Sequence, residues 1–475
     1  MVSTFGSLAT AYSGLAAARA GIDVTGQNIA NAGTAGYTRQ RVTQNSIPAT
    51  QTGFMRGTAA LAGQGVSVDG IARLASLTLD AGVRVAAGSS AYADARATAL
   101  SALETGLHEP GKDGLSAKLD AFWSSWSELA SHPDDPGAAS AVLGAAGTVV
   151  AALAAGSKAV DAQWSSVRGT LTGQVAQLNG AAEQVADLNG RIRTALASGG
   201  NANELLDQRD QLTQQIATLA GGTTRTNADG TVDVLLGGNP IVQGTDARSV
   251  ALGGGERLAD GTAVTLTWTT GTAGAVGLSG GSIGGALAVL APASGTGTGT
   301  GGALAEAAAS YDAVATRLAT TVNALHAAGT TPAGTTGAPF FSVAAGVPAA
   351  QALGVVPTDA SGLATRNAAG ELDDSFADAL ARLGASSDGA DQVWATFVAG
   401  VGTASRSATS ESTMAGLALT NARNQQQSSA GVDLDEENVN LLSYQHAYQG
   451  AARVLTAVDE MLDTIINRVG LVGRG

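Results

Sequence analysis

The two ends of this chain carry the same apolar period, and that limits what everything between them can become. Near the start, Phe5, Leu8, Tyr12, Leu15, Ile22 and Ile29 fall in alternating steps of three and four, interrupted only at Arg19 and Gly26. Near the end, Leu441, Tyr444, Tyr448, Ala451, Leu455, Val458, Leu462, Ile465 and Val469 follow the same steps without a break. A period of 3.5 residues lays these side chains along one narrow seam, which signals a coiled coil rather than a broad core face. Val454 and Ile466 flank the second seam, more apolar surface than a single two-helix contact covers, and this favours assembly. The C-terminal helix has a clear start at Asp433, with Glu436 three residues on and Asp435 and Glu437 set against the helix dipole. It is predicted to run from Leu434 to Val469, about 54 Å.

Between these ends the period changes twice. The first helix is predicted to stop in Asn28–Gly33, where Asn and Gly tolerate the left-handed conformation, and a polar extended stretch follows from Tyr37 to Gln64. Helical patterns then run over Leu74–Leu107, Leu115–Leu129, Ala138–Ala197 and Asn203–Ala220, with Pro133 and Pro136 closing the second. After the turn sequence Asn227–Gly230, Thr231–Leu236 reads as a strand; Val264, Leu266 and Trp268 alternate with Thr in the same way. Helix returns over Leu304–Ala328 and Val393–Gln427. The expected fold is mainly α with an inserted β domain, an elongated, nested multi-domain rod whose N- and C-terminal helices pair as a coiled coil. The expected domains are 1–50 with 428–475 (terminal assembly), 51–220 with 303–330 and 388–427 (helical rod), and 221–282 (β insert), with 283–302 and 331–387 as linkers or loop-rich segments.

Composition narrows the chemistry. Sixty-five of the 475 residues are Gly and only 4% are aromatic, so small aliphatic side chains carry the apolar content. Such a chain packs helices closely and builds few large pockets. A formal net charge of -14 with no local basic patch disfavours a nucleic-acid partner. There is no cysteine, which excludes disulfides, thiolate metal sites and a cysteine nucleophile. Ala18-Arg19-Ala20 resembles a cleavage site, but no basic residue precedes an apolar centre, so the N-terminus is expected to stay on. The longest uncharged stretch, Gly261–Ala305, is too rich in Gly and Thr to span lipid, and no membrane insertion is expected.

No catalytic, cofactor or metal residue stands out. His108, His132, His326 and His446 fit no zinc pattern; His326 ends a helix, where a cation would suit the dipole. The run Gly297–Gly302 formally fits a dinucleotide fingerprint but follows no strand and reads as a linker. Asn227-x-Asp229-Gly230 is better read as a hairpin turn than as part of a calcium loop, because Arg225 stands at the first ligand position. Asp134-Asp135 and Asp373-Asp374 read as solvated loop acids.

One resemblance is specific. The stretch Asn28-Ile29-Ala30-Asn31-Ala32-Gly33-Thr34-Ala35-Gly36-Tyr37, with Ser13–Ala17 upstream, resembles the N-terminal signature of bacterial flagellar rod, hook and hook-associated proteins. Asn203–Leu212, with Leu206, Asp207, Arg209 and Asp210, resembles the hook-associated protein 1 family in particular. So do Asn424–Ser428 and the run Gly431–Glu437 that holds Asp433, Leu434, Asp435 and Glu436; Asn440–Gln449 continues the match. The resemblance implies a structural, non-enzymatic protein that polymerises as a ring-like assembly at the distal end of the hook. It implies the hook protein and the second hook–filament junction protein as partners, and a cytosolic export chaperone on the C-terminal helix. It also implies type III export to the extracellular flagellum after a transient cytoplasmic stage, with no cofactor. Leu8, Tyr12, Leu15, Ile22, Ile29, Leu441, Tyr444, Tyr448, Leu455, Val458, Leu462 and Ile465 are then the expected assembly seam, and Asn28, Asn31, Gly33, Gly36 and Tyr37 the turn leaving the inner helix. Longer relatives carry an extra β domain for which 344–384 has no room. Rival readings are another axial component (hook or distal rod protein), a secreted coiled-coil adhesin with a ligand-binding insert, and an enzyme housed in that insert.

Overall fold

The computed structural model describes residues 4–48, 63–271, 274–294, 301–367, 369 and 371–464. Helix α1 (Thr4–Asn31) gives way to a turn in which Thr34 N bonds Asn31 O and Tyr37 N bonds Thr34 O. Strands β1 (Gln40–Ser46) and β2 (Val66–Arg73) form an antiparallel ribbon. Helix α2 (Leu77–Leu107) starts on a Ser76 cap and ends at His108 in the left-handed conformation. After α3 (Leu115–Ser131), Pro133 prevents continuation, and Asp135 caps the next helix by accepting from Gly137 N at 2.7 Å. That helix, α4 (Pro136–Ala197), has 62 residues and so runs for about 93 Å. Pro136 occupies its first turn, where no amide donor is needed.

Helix α5 (Asn203–Ala220) leads into a four-stranded antiparallel sheet of β3 (Thr223–Thr226), β4 (Val232–Leu236), β5 (Asn239–Gln243) and β6 (Asp246–Ala247), paired in chain order. A separate pair follows, β7 (Val250–Gly254) with β8 (Val264–Trp268). Asn227–Gly230 is the turn joining β3 to β4, and Arg225 pairs with Asp233 across the strands at 2.7 Å. The chain continues through α6 (Gly281–Val289), α7 (Ala303–His326), β9 (Phe341–Val343), α8 (Ala349–Ala352), β10 (Leu353–Val355), α9 (Asp374–Ala381), α10 (Ala390–Ala430) and α11 (Leu434–Asp463).

One continuous core joins α3, α4, α7, α9 and the lower half of α10 to the β strands. Its centre concentrates the scarce aromatics: Trp126 and Phe340 lie 5.5 Å apart, Phe340 and Phe341 4.7 Å apart, and all three are almost fully buried. Above that core α2 and α10 run antiparallel as a shaft, with Gln426 donating to Asp80 at 2.6 Å near one end and Arg96 paired to Glu411 at 3.1 Å further along. Above the shaft, α1 packs on α11. Mainly helical, with small antiparallel sheets inserted, the chain is nested as its period suggested.

Several details depart from the sequence reading. The segment 283–302 is not only linker: it continues α6, whose Ile283, Ala286 and Val289 are buried against the core. Gly280, Gly281, Gly284 and Gly285 disguise that helix; Gly285 lets it approach Tyr92 on α2 so closely that a Cβ would stand 2.6 Å from the Tyr92 carbonyl oxygen. Likewise 331–387 sends Phe340, Phe341, Leu353, Leu363 and Leu380 into the core. His326 is no helix-end cation. Fully buried, it faces the Ala338 carbonyl at 2.6 Å through Nδ1 and accepts from Ala364 N at 3.1 Å through Nε2, and burial lowers its pKa. The acids Asp135 and Asp373 cap α4 and α9. By length and composition α4 is apolar enough to cross a membrane, but Val142, Ala146, Val149 and Leu153 are buried in the core. The residues Gly297–Thr300 of the glycine run, and Ile465, Ile466 and Val469 beyond α11, lie outside the described residues.

Candidate assembly interface

Helices α1 and α11 meet in one antiparallel register. Asn28 bonds Glu437, Gly21 faces the Tyr444 ring, and Gly14 faces Ala451, so each contact is one heptad from the last on both helices. A Cβ on Gly21 would stand 2.5 Å from that ring, so only glycine allows the approach. The buried residues of α1 are Ala11, Ala17, Ala18, Gly21, Val24, Thr25 and Asn28, one step round from the predicted series. Leu8, Leu15, Ile22 and Ile29 are half-buried along its flank, and Tyr12 points out at 67% exposed. The reason is steric: interhelical distance follows the side chains at the contact, and a Gly/Ala face admits a closer partner than a leucine face. On α11, Val458 is buried, Leu441, Tyr444, Leu455 and Leu462 are half-buried, and Tyr448 lies at the edge. Away from that contact, on its flank and back, α11 leaves Val439, Leu442, Val454 and Met461 exposed.

At the root of this pair the motif residues converge. Asn28 uses its whole amide: Nδ2 donates to Gln40 O at 2.9 Å and Glu437 Oε2 at 3.1 Å, while Oδ1 accepts from Tyr37 Oη at 2.9 Å and Gln40 N at 3.0 Å. Glu437 is only 1% exposed, and its other oxygen takes Arg39 Nε at 2.7 Å; Arg39 Nη1 reaches Glu436 at 2.9 Å. A buried carboxylate needs such a partner to stay charged. The Glu436 hydrogen bond is the main reason the Arg39 guanidinium lies above its ordinary pKa. Asp433 caps α11, accepting from Asp435 N at 2.9 Å and Glu436 N at 3.2 Å, and Leu434 and Asp435 remain exposed.

A second knot ties the root to the body. Asp207 of α5 accepts from Thr38 N at 3.3 Å and from Arg73 at 2.6 Å, and Asp210 takes the same Arg73 nitrogen at 2.9 Å. Burial opposes the Arg73 charge, but Asp210 and Asp207 outweigh it and raise its pKa. Burial, followed by Asp207, Glu437 and Glu204, pushes the Tyr37 hydroxyl up to about 12, so it stays a donor to Asn28. Gly36, at φ 79, could not carry a side chain: a Cβ would meet Gln211 Nε2 at 1.9 Å. Asn31 folds back onto Gln27 O at 3.0 Å, and Gly33 is exposed with open space around it. Leu206 and Arg209 do not join this knot. They turn to the other side of α5, where Arg209 donates to Asn189 at 3.2 Å and Gly230 O at 2.7 Å.

Sequence reasoning singled out Asn28, Tyr37, Asp207, Asp210 and Glu436, but not their partners Arg39, Gln40 and Arg73. Arg39 and Glu437 are 398 residues apart. The available signal was a cation beyond the end of the first helix and an acid in the first turn of the last, at the two helix ends expected to meet. Among the described residues, no group of three His, Cys, Asp or Glu could hold a metal ion.

Three family descriptions match this chain. "Flagellar hook-associated protein FlgK helical domain" matches residues 100–341, just over half of it. "Flagella basal body rod protein" matches 8–38, and "Flagellar basal body rod FlgEFG protein C-terminal" matches 424–468. The chain is 28% identical over 513 residues to flagellar hook-associated protein 1 of Bacillus subtilis, with 100% of both chains covered. To flagellar hook-associated protein 1 of Escherichia coli it is 26% identical over 558 residues, covering 96% of this chain and 98% of the relative. A solved structure of the flagellar hook junction protein FlgK from Burkholderia pseudomallei aligns with a TM-score of 0.47 at 25% identity, over 57% of this chain and 47% of that one.

Proposed function

The chain belongs to the flagellar hook-associated protein 1 (FlgK) family, structural components of the bacterial flagellum, and we propose that it polymerises through its two terminal helices at the distal end of the hook, as the adaptor to the filament. The observation that carries this reading is the two-sidedness of α11. One face is spent on α1, and the surface beside and behind it still presents Val439, Leu442, Val454 and Met461 to solvent. The neighbours that cover it are copies of the same chain in a ring-like assembly, with the hook protein below and the second junction protein above. Before export, a cytosolic chaperone covers the C-terminal helix, a helix-in-groove contact that an apolar stripe supports. The exported protein performs no catalysis; its work is to hold shape.

The seam assignment has a direct test. Replacing Leu455 and Leu462 with Asp breaks the α1–α11 pair, and replacing Val454 and Met461 with Asp leaves that pair while spoiling the outward face. Both doubly substituted chains are expected to fail to incorporate at the hook tip while the β region stays folded. Normal incorporation of either, read by microscopy of isolated hook–basal bodies, removes the corresponding face from the interface.

A further inference from the structure

A cleft of about 430 Å³ opens at the joint between the terminal pair and the body, walled by the 31–38 turn, α2, α5 and the last turns of α10. That volume is within the range of ligand sites, roughly 300–1,000 Å³. Most polar groups around it are already engaged: Arg73 with Asp207 and Asp210, and one Asp80 oxygen with Gln426. Arg84 is not. It lines the cleft at only 9% exposed and forms neither a hydrogen bond nor an ion pair with any described residue. Burial lowers its pKa, with Asp210 and Asp80 supporting the charge from a distance. A guanidinium carries five donors, and none of the Arg84 nitrogens is sealed from solvent without a partner, so they are open to an acceptor that enters the cleft.

The same two acids restrict what can meet it. A bare carboxylate or phosphate would approach Arg84 against Asp80 and Asp210. An ammonium would satisfy the acids and face the arginines. A neutral amide does neither: its oxygen accepts from Arg84 while its N–H groups turn to the carboxylates. Resting on the assembly reading above, we propose that this cleft is a socket for an uncharged, amide-bearing peptide segment of an adjacent axial subunit, with Arg84 donating to its carbonyl.

The absence of cysteine makes the test clean. In the full chain, Arg423→Cys at the exposed rim and Val454→Cys on the outer face of α11 are each coupled to a benzophenone maleimide and photolysed after incorporation at the hook tip. The expected result is a cross-link to a neighbouring subunit from both positions, with the Arg423 product mapping to a segment free of Asp, Glu, Lys and Arg. Adding Arg84→Gln should reduce the cross-link at position 423 several-fold and leave that at 454 unchanged. Arg84→Lys, which keeps the charge facing Asp80 and Asp210, should lose the same cross-link in a chain of unaltered melting temperature. Cross-linking from 454 with none from 423, or capture of an acidic segment, overturns the socket and leaves the assembly reading standing. Silence at both positions removes both.

Discussion

The aromatic centre of the body and the terminal helix pair answer the same demand, burial of apolar surface, in opposite ways. In the body, Leu119, Phe122, Trp126, Leu129, Val142 and Leu153 have no exposure at all, and the surrounding helices finish the job within one chain. In the terminal pair, the fully hidden apolar positions are mostly Ala, with Val24 and Val458, and the largest side chains sit half-covered or outside. Its specificity comes from its root, where Asn28, Arg39 and Glu437 lock one register. The contrast teaches that the body buries its large apolar side chains within one chain, while the terminal pair fixes its register with polar groups and leaves its large side chains partly uncovered.

The comparison breaks most visibly from the body side. Trp126→Ala should cost about 3–5 kcal/mol of unfolding free energy, measured by denaturant titration of the body transition, while hydrogen exchange in α11 keeps its native pattern. An unchanged midpoint would mean that the body is not the self-sufficient half. Arg39→Met leaves Glu437 buried without its cation and should weaken the root by about 3 kcal/mol. The expected readout is accelerated exchange of α11 amides with the body unaffected; equal protection in wild type and variant would show that the root does not hold the pair.

Finer tests follow. Gly21→Ala forces a methyl against the Tyr444 ring and should loosen the pair by about 1–3 kcal/mol. Tyr444→Ala in the same chain should return most of that loss, and strict additivity in the double-mutant cycle would place the two residues apart. The smallest effect belongs to His326. Its folded pKa lies below its unfolded value near 6.5, so its neutral form is the native one. As pH falls below about 6.5 the unfolded chain binds a proton that the folded chain refuses, and stability drops by at most about 1.4 kcal/mol per pH unit until the folded pKa is reached. His326→Gln should flatten the body's stability between pH 6.5 and 5.5; an identical slope would assign that titration to another group.

Much of this architecture is legible in the sequence because it rests on local rules. The end of α3 follows from Pro133, the start of α11 from Asp433, and the β3–β4 turn from Asn227–Gly230. The contact face of α1 was less legible because a period search weighs large residues, whereas here the smallest ones mark where backbones approach. Helix α6 escaped for a related reason, since glycines needed for its packing against α2 look like linker residues. The root escaped because its charge pair spans almost the whole chain, and no local pattern encodes a bond between residues 39 and 437.

That span has a consequence for the order in which the molecule can form. Joining Asn28 to Glu437 closes a loop of 409 residues in an unfolded chain. Once the body is folded, Arg39 N already bonds Ala430 O, and what remains is eleven residues from Asn28 to Arg39 and seven from Ala430 to Glu437. Closure entropy grows as about 1.5RT times the logarithm of loop length, so the folded body makes terminal pairing easier by about 3 kcal/mol, or roughly a hundredfold. The terminal contact is thus coupled to the body: whatever opens the Arg39–Ala430 bond also restores the long loop that Asn28 and Glu437 must close.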